Sequence, residues 1–249
     1  MKNFDLHERL AIACDFESLP GENAAAAKVR LFQFLEKIRD FRGHIKVESL
    51  LRQCGYPFIQ EIQKAGFLVF ADLKLYGTNK TLKLDGQFLS LYEPDMLSVA
   101  CSVGVESLRL LKGLLPHTEV VGITFPTNLD EQDARAFHLR SIAETVDFFT
   151  KLADFAGIDG IVCGGKEIPI VPVNLHTLSV NVVNVRPDWA KVRGDDQNSL
   201  RSVTPREAIL GFADRVIVGR PITDAKNPMD AIKRILDEIN LAYADSYLG

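Results

Sequence analysis

Four charged residues stand in or at the end of apolar runs in the first third of the chain. Asp15 closes the run that begins at Leu10, Lys46 lies between Ile45 and Val47, and Asp72 with Lys74 follows Phe67-Leu68-Val69-Phe70-Ala71. In an extended segment residues two apart share a face, so Asp72 and Lys74 are expected to point together into an interior. Buried charge is costly unless paired, and two carboxylates meeting two ammonium groups would neutralise one another while leaving strong local fields. Such a field suits stabilisation of charge that develops during a reaction, although the same pattern would also serve as an ion-pair network without chemistry. A second group occurs late in the chain, where Val216-Ile217-Val218 runs into Gly219-Arg220. A glycine that admits a ligand to the backbone, next to a guanidinium, suits phosphate. Arg186 and Gln197 precede it in a charged, glycine-bearing segment able to close over the same anion. Thr127 and Asn128, after Ile123-Thr124-Phe125-Pro126, offer hydrogen bonds to a polar ring, or an N-cap to the helix that follows.

The elements that must position these groups alternate. Strand-length apolar runs occupy 10–16, 44–49, 67–75, 96–103, 119–125, 160–164, 177–185 and 215–219, and stretches of helical periodicity such as 23–41, 130–155 and 227–244 fall between them. Strand-helix alternation indicates a parallel sheet, and eight repeats in 249 residues fit a closed (β/α)8 barrel, an α/β fold, better than an open sheet. The expectation is one barrel domain over residues 1–249. Catalytic groups of such a barrel stand at the C-terminal ends of its strands, and phosphate is often gripped after strands seven and eight. The least regular segment, 186–203, falls after the seventh run and before a short helix opening at Thr204-Pro205.

Composition narrows the partners. A hydrophobic fraction of 47% and a charged fraction of 25% are those of a globular chain, and a net charge of -4 gives no basic field for nucleic acid or an anionic membrane. The N-terminal residues carry no apolar secretory run, which predicts a cytoplasmic protein. Cys14, Cys54, Cys101 and Cys163 form no CxxC pair and read as buried reduced thiols; the five histidines have no metal-ligand spacing, so no metal site is expected.

Taken together, these segments resemble the orotidine 5'-phosphate decarboxylase family. Ile12-Ala13-Cys14-Asp15-Phe16 resembles its opening strand, Asp72-Leu73-Lys74 its central D-x-K motif, and Ile123 to Glu131 its strand-five segment. Val185-Arg186-Pro187, Gly194-Asp195-Asp196-Gln197, Val203-Thr204-Pro205 and Val218-Gly219-Arg220-Pro221 follow in the family's order. The resemblance implies a homodimeric barrel with no metal and no organic cofactor, acting on the nucleotide orotidine monophosphate (OMP) to give uridine monophosphate (UMP) and CO2. It implies that Asp15 and Lys46 contact the ribose, Asp72 presses on the substrate carboxylate, Lys74 protonates the ring carbon, and Thr127 reads the pyrimidine. Arg186, Gln197, Gly219 and Arg220 would hold the phosphate and the closing loop, with Thr81 also matching a substrate-binding position.

One position departs from the family. Its motif continues as D-x-K-x-x-D, with the last aspartate reaching into the neighbouring subunit's site, whereas Gly77 stands at that position here. The next acid, Asp85, is about two helical turns further on. The expectation is therefore a lysine row short of one carboxylate unless another residue supplies it. Two functions follow: an OMP decarboxylase with Lys74 as proton donor, or a catalytically impaired barrel that binds a nucleotide or sugar phosphate in a regulatory or unknown role.

Overall fold

The computed structural model describes residues 2, 4–16, 19–172, 177–191 and 202–246. Eight parallel strands close into a barrel in sequence order: β1 Leu10–Ala13, β2 His44–Val47, β3 Leu68–Leu75, β4 Met96–Ala100, β5 Glu119–Ile123, β6 Gly160–Gly164, β7 Ser179–Val183 and β8 Arg215–Val218. All eight expected runs form strands, most trimmed at their ends, and β8 pairs with β1 to complete the circle. The helices are α1 Ala24–Lys37, α2 Ser49–Cys54, α3 Pro57–Lys64, α4 Asn79–Leu89, α5 Val105–Leu114, α6 Glu131–His138, α7 Ile142–Ala156, α8 Pro205–Leu210, α9 Arg220–Thr223 and α10 Pro228–Ser246.

Local chemistry sets the helix boundaries. Asn23 caps α1 through the Ala26 N–H, and Thr204 and Glu207 form a capping box on α8, where a short helix was expected. The stretch 130–155, expected as one helix, is two. Leu139 takes the left-handed conformation at φ 55° and ends α6, and Ser141 with Glu144 then caps α7. Asp130, not Thr127 or Asn128, caps α6 by accepting from the Gln132 and Asp133 N–H groups.

Strand alternation sorts side chains into two apolar layers. Leu10, Ile12, Ile45, Val47, Val69, Leu97, Val120, Ile161 and Val216 face outward into the core shared with the helices. Ala11, Phe70, Met96, Val121, Val162 and Ile217 fill the interior. By the same parity Lys46, Asp72 and Ser98 lie inside, toward the C-terminal mouth. Cys14, Cys101 and Cys163 are buried, and burial pushes their thiols above the ordinary cysteine value. Cys54 departs from the expectation, being only partly buried at the end of α2. No described helix is long and apolar enough to cross a membrane.

The N-terminal end of the barrel is plugged by Arg215, 1% exposed. Its guanidinium bonds Glu119 Oε2 at 3.0 Å, Asn181 Oδ1 at 2.5 Å and the Glu8 carbonyl at 2.8 Å. It also lies 4.5 Å from the Phe4 ring centroid. Arg215→Met would remove the cation from Glu119, leaving only the Ser179 hydroxyl on its carboxylate, and is expected to cost about 3–5 kcal/mol. The plug is remote from the mouth, so kcat of the folded variant should stay near wild type. Urea unfolding and turnover measured together check this, and a stable variant with lost turnover would contradict the division of the barrel into a stability end and a chemistry end.

Candidate active site

Lys46 is the centre of the C-terminal mouth. The parallel registers set Ala13 and Phe70 on either side of it, so Asp15 and Asp72 lie one pleat further on the two neighbouring strands. The lysine reaches both: its Nζ is 2.5 Å from Asp15 Oδ2 and 2.9 Å from Asp72 Oδ2. The Lys46 and Asp72 side chains are 8% and 9% exposed, while Asp15 opens to solvent. Burial pulls the Lys46 ammonium down, but the Asp72 and Asp15 carboxylates outweigh it and hold the group above the ordinary lysine value. Burial pushes Asp72 up, and Lys46 and Lys74 together outweigh that and hold its carboxyl at about 2. Both groups are therefore ionised at neutral pH.

Asp72 and Lys74 meet, though not by simple alternation along a flat strand. Between Ala71 and Leu75 the register of β3 against β4 slips, with Ala71 opposite Leu97 and Leu75 opposite Val99. Lys74 sits in this bulge at φ 47°, a left-handed conformation that costs a non-glycine residue on the order of 1 kcal/mol. Its side chain is 42% exposed on the rim, and Nζ turns back to Asp72 Oδ2 at 2.9 Å. Ser98 of β4 secures the bulge: its Oγ accepts the Lys74 N–H at 2.8 Å and donates to Asp72 Oδ1 at 2.7 Å.

A residue not singled out in the sequence joins the row. Glu48, just past β2, places Oε2 2.5 Å from Lys74 Nζ and 3.9 Å from Lys46 Nζ. The result is an alternating series of three carboxylates and two ammonium groups, Asp15, Lys46, Asp72, Lys74 and Glu48. All three carboxylates belong to this chain, and Gly77 contributes none of them. Glu48 lies two residues after Lys46, the same period-two signal that picked out Asp72 and Lys74, and Ser98 is the one polar residue of the Met96–Ala100 strand. Asp85 takes no part; it lies on α4 near enough to Tyr56 to raise the phenol's pKa beyond what burial does.

Of the residues expected to hold phosphate, Arg186, Gly219 and Arg220 lie just past the ends of the last two strands. Gly219 follows β8 and passes beside Ala13 of β1, where an added Cβ would lie 3.4 Å from the Ala13 carbonyl oxygen. Arg220 opens α9. Arg186 is buried just after β7, and its N–H donates to the Val203 carbonyl at 2.8 Å. With the Val185–Val203 bridge, this bond closes the base of the loop between β7 and α8. Gln197 falls within that loop and outside the described residues. Thr127 is half-buried beside β6, against Gly164, where a Cβ would come within 3.0 Å of its methyl group. Thr81 is exposed in the first turn of α4, its hydroxyl 3.1 Å from that of Thr78. Among the described residues no group of three or more His, Cys, Asp or Glu side chains is placed to hold a metal ion.

The depressed Asp72 carboxyl has a consequence for stability. Held at about 2 against an ordinary 3.8, it makes the native state bind fewer protons than the unfolded chain in that interval. Its contribution is present above about pH 4 and lost as pH falls toward 2, an amount on the order of 2 kcal/mol. Urea unfolding between about pH 6 and pH 2.5 should show wild type losing about 2 kcal/mol more than Asp72→Asn. Parallel losses in the two proteins would mean that Asp72 is not coupled to the lysines.

Comparison with known proteins bears on what this mouth belongs to. The model of the Orotidine 5'-phosphate decarboxylase / HUMPS family matches residues 8–235. The chain is 34% identical over 232 residues to the orotidine 5'-phosphate decarboxylase of Staphylococcus aureus (strain N315), covering 90% of this chain and 95% of that enzyme. For the enzyme of strain Newman the identity is 33% over the same length. The crystal structure of orotidine 5'-phosphate decarboxylase from Lactobacillus acidophilus superposes with a TM-score of 0.77 at 21% identity, over 94% of this chain and 99% of that one. An uncharacterized conserved protein from Geobacillus kaustophilus superposes at 0.75 with 23% identity, over 93% and 100% of the two chains; both structural likenesses concern the fold. Through its sequence match from residue 8 to residue 235, the chain belongs to the Orotidine 5'-phosphate decarboxylase / HUMPS family.

Proposed function

We propose that this protein decarboxylates orotidine 5'-monophosphate to uridine 5'-monophosphate and CO2 in pyrimidine nucleotide synthesis. The observation that carries the reading is the Lys46–Asp72–Lys74 row at the barrel mouth, in a chain 34% identical to decarboxylases of that name over nine-tenths of its length. In this reading Asp15 and Lys46 hold the ribose, and Thr127 and Thr81 bind further parts of the substrate. Arg186, Gln197, Gly219 and Arg220 grip the phosphate.

The chemistry follows from the charges. Asp72 is ionised and nearly buried, so a substrate carboxylate pressed against it is repelled in the ground state and relieved as CO2 departs. The bond between the ring carbon and the carboxylate breaks, its electron pair stays on the ring carbon, and the Lys74 ammonium supplies the proton that forms the new C–H bond. Solvent returns a proton to the lysine. Repulsion must be offset by binding elsewhere, and the doubly charged phosphate held by the two arginines supplies it. The fixed ammonium needs no rearrangement as the carbanion develops, which is where preorganised charge is most effective.

The alternative of a barrel that binds without turnover had Gly77 as its main support, and Glu48 on Lys74 weakens it. A homodimer is part of the proposal: Leu84, Phe88 and Leu91 leave large apolar side chains exposed at i, i+4 and i+7 along and just past α4. The same reading places the protein in the cytoplasm, a compartment that keeps its four free cysteines reduced.

Purified wild type is expected to convert OMP to UMP in a spectrophotometric assay. Lys74→Ala should lower kcat by at least about 1,000-fold while UMP still binds within a few-fold of wild type. Arg220→Ala should raise KM about 10- to 100-fold. Turnover that survives loss of the Lys74 amine would sink the assignment of the proton donor. Sedimentation of wild type should give a dimer and that of Phe88→Glu a monomer; a wild-type monomer would remove the dimer from the proposal.

A further inference from the structure

The Lys74 ammonium has two carboxylate partners, and they come from different strands. Asp72 approaches from two residues back along β3, whereas Glu48 arrives from the end of β2 with Oε2 at 2.5 Å. Glu48 is itself held. Arg52, one turn on along α2, bonds Glu48 Oε1 at 3.2 Å, and its other terminal nitrogen donates to the Leu73 carbonyl at 2.7 Å. Arg52 thereby ties the carboxylate to the peptide immediately before the lysine that the carboxylate holds. The backbone at Glu48, with φ -124° and ψ -92°, lies outside the helical and extended regions, as expected of a side chain set by its contacts and not by regular structure.

A lysine bound to one carboxylate can swing about that contact. Bound to two, one beneath and one beside it, the ammonium is fixed at a point. We propose that Glu48 is the third carboxylate of the lysine row, a positioning residue that holds Lys74 for proton delivery and occupies from within the same chain the electrostatic place that Gly77 leaves open. The inference rests on the decarboxylase reading and adds a residue to it. It also accounts for a glycine being tolerated at 77: an acid there would bring a fourth carboxylate to two lysines, and its Cβ would meet the Thr81 side chain at 3.2 Å.

The test is steady-state kinetics with OMP on wild type, Glu48→Gln, Glu48→Asp and Gly77→Asp, with UMP affinity and thermal unfolding measured on each. Glu48→Gln keeps the shape and loses the charge. Its kcat is expected to fall about 10- to 100-fold while KM and UMP affinity stay within about threefold of wild type. Glu48→Asp, which keeps the charge on a shorter arm, should recover part of that loss, and Gly77→Asp should bring no gain. A kcat within about twofold of wild type in Glu48→Gln overturns the inference. So does a rise in KM at unchanged kcat, which would make Glu48 a binding group, or a gain above about threefold in Gly77→Asp, which would mean the row was short of an acid. If wild type itself gives no turnover, the decarboxylase reading falls and this inference with it. Active wild type with an indifferent Glu48→Gln overturns this inference alone.

Discussion

Lys46 is the constraint around which the mouth is arranged. An ammonium only 8% exposed would shed its proton if left alone, and a neutral amine there would leave Asp72 buried and unbalanced. Its charge is kept because β1 and β3 flank β2 in the barrel order, which brings one carboxylate from each side. A closed parallel barrel is well suited to this. Every strand has two neighbours in fixed register, so a residue at the end of one strand can be met from both sides without any loop having to fold into place.

The same logic explains why strain is found where it is. Lys74 must leave the regular strand if its side chain is to stand on the rim over the pocket while its partner Asp72 stays inside. The bulge in β3 supplies that offset, and the left-handed backbone at Lys74 is its cost. Ser98 limits the cost by accepting the displaced N–H and using its own proton on Asp72, so that the N–H freed by the distortion keeps a partner. Strain, hydrogen bond and ion pair form one unit, and removing any one of them loosens the other two.

Much of this was legible in the chain itself. The eight strands follow from apolar runs of the right length, and the charged members of the row stand out because charge is rare inside such runs. What sequence could not supply was register and local geometry. The rule of two placed Asp72 and Lys74 on one face of a flat strand, yet they meet across a bulge, which no propensity at Ala71–Leu75 announces. Glu48 was hidden for a different reason: a glutamate at a strand end beside a serine and two leucines reads as the start of a helix, and only the partner across β3 gives it a role. The break between α6 and α7 was missed because Leu139, a good helix former, is held left-handed by the caps on either side.

The row also bears on how far the site depends on a second subunit. In the family pattern the last carboxylate of D-x-K-x-x-D is lent by the neighbour, so complete charge balance requires an assembled dimer. Here the three acids that contact the lysines, Asp15, Asp72 and Glu48, all belong to one chain and to three adjacent strands or strand ends. Electrostatic balance is then a property of the folded barrel, set by the stiffness of β1, β2 and β3, with no carboxylate required from a second copy. Moving one carboxylate from a partner's loop to the end of the chain's own second strand leaves the formal charge of the row unchanged, because what the lysines require is a carboxylate within hydrogen-bond reach and not a particular position in the sequence.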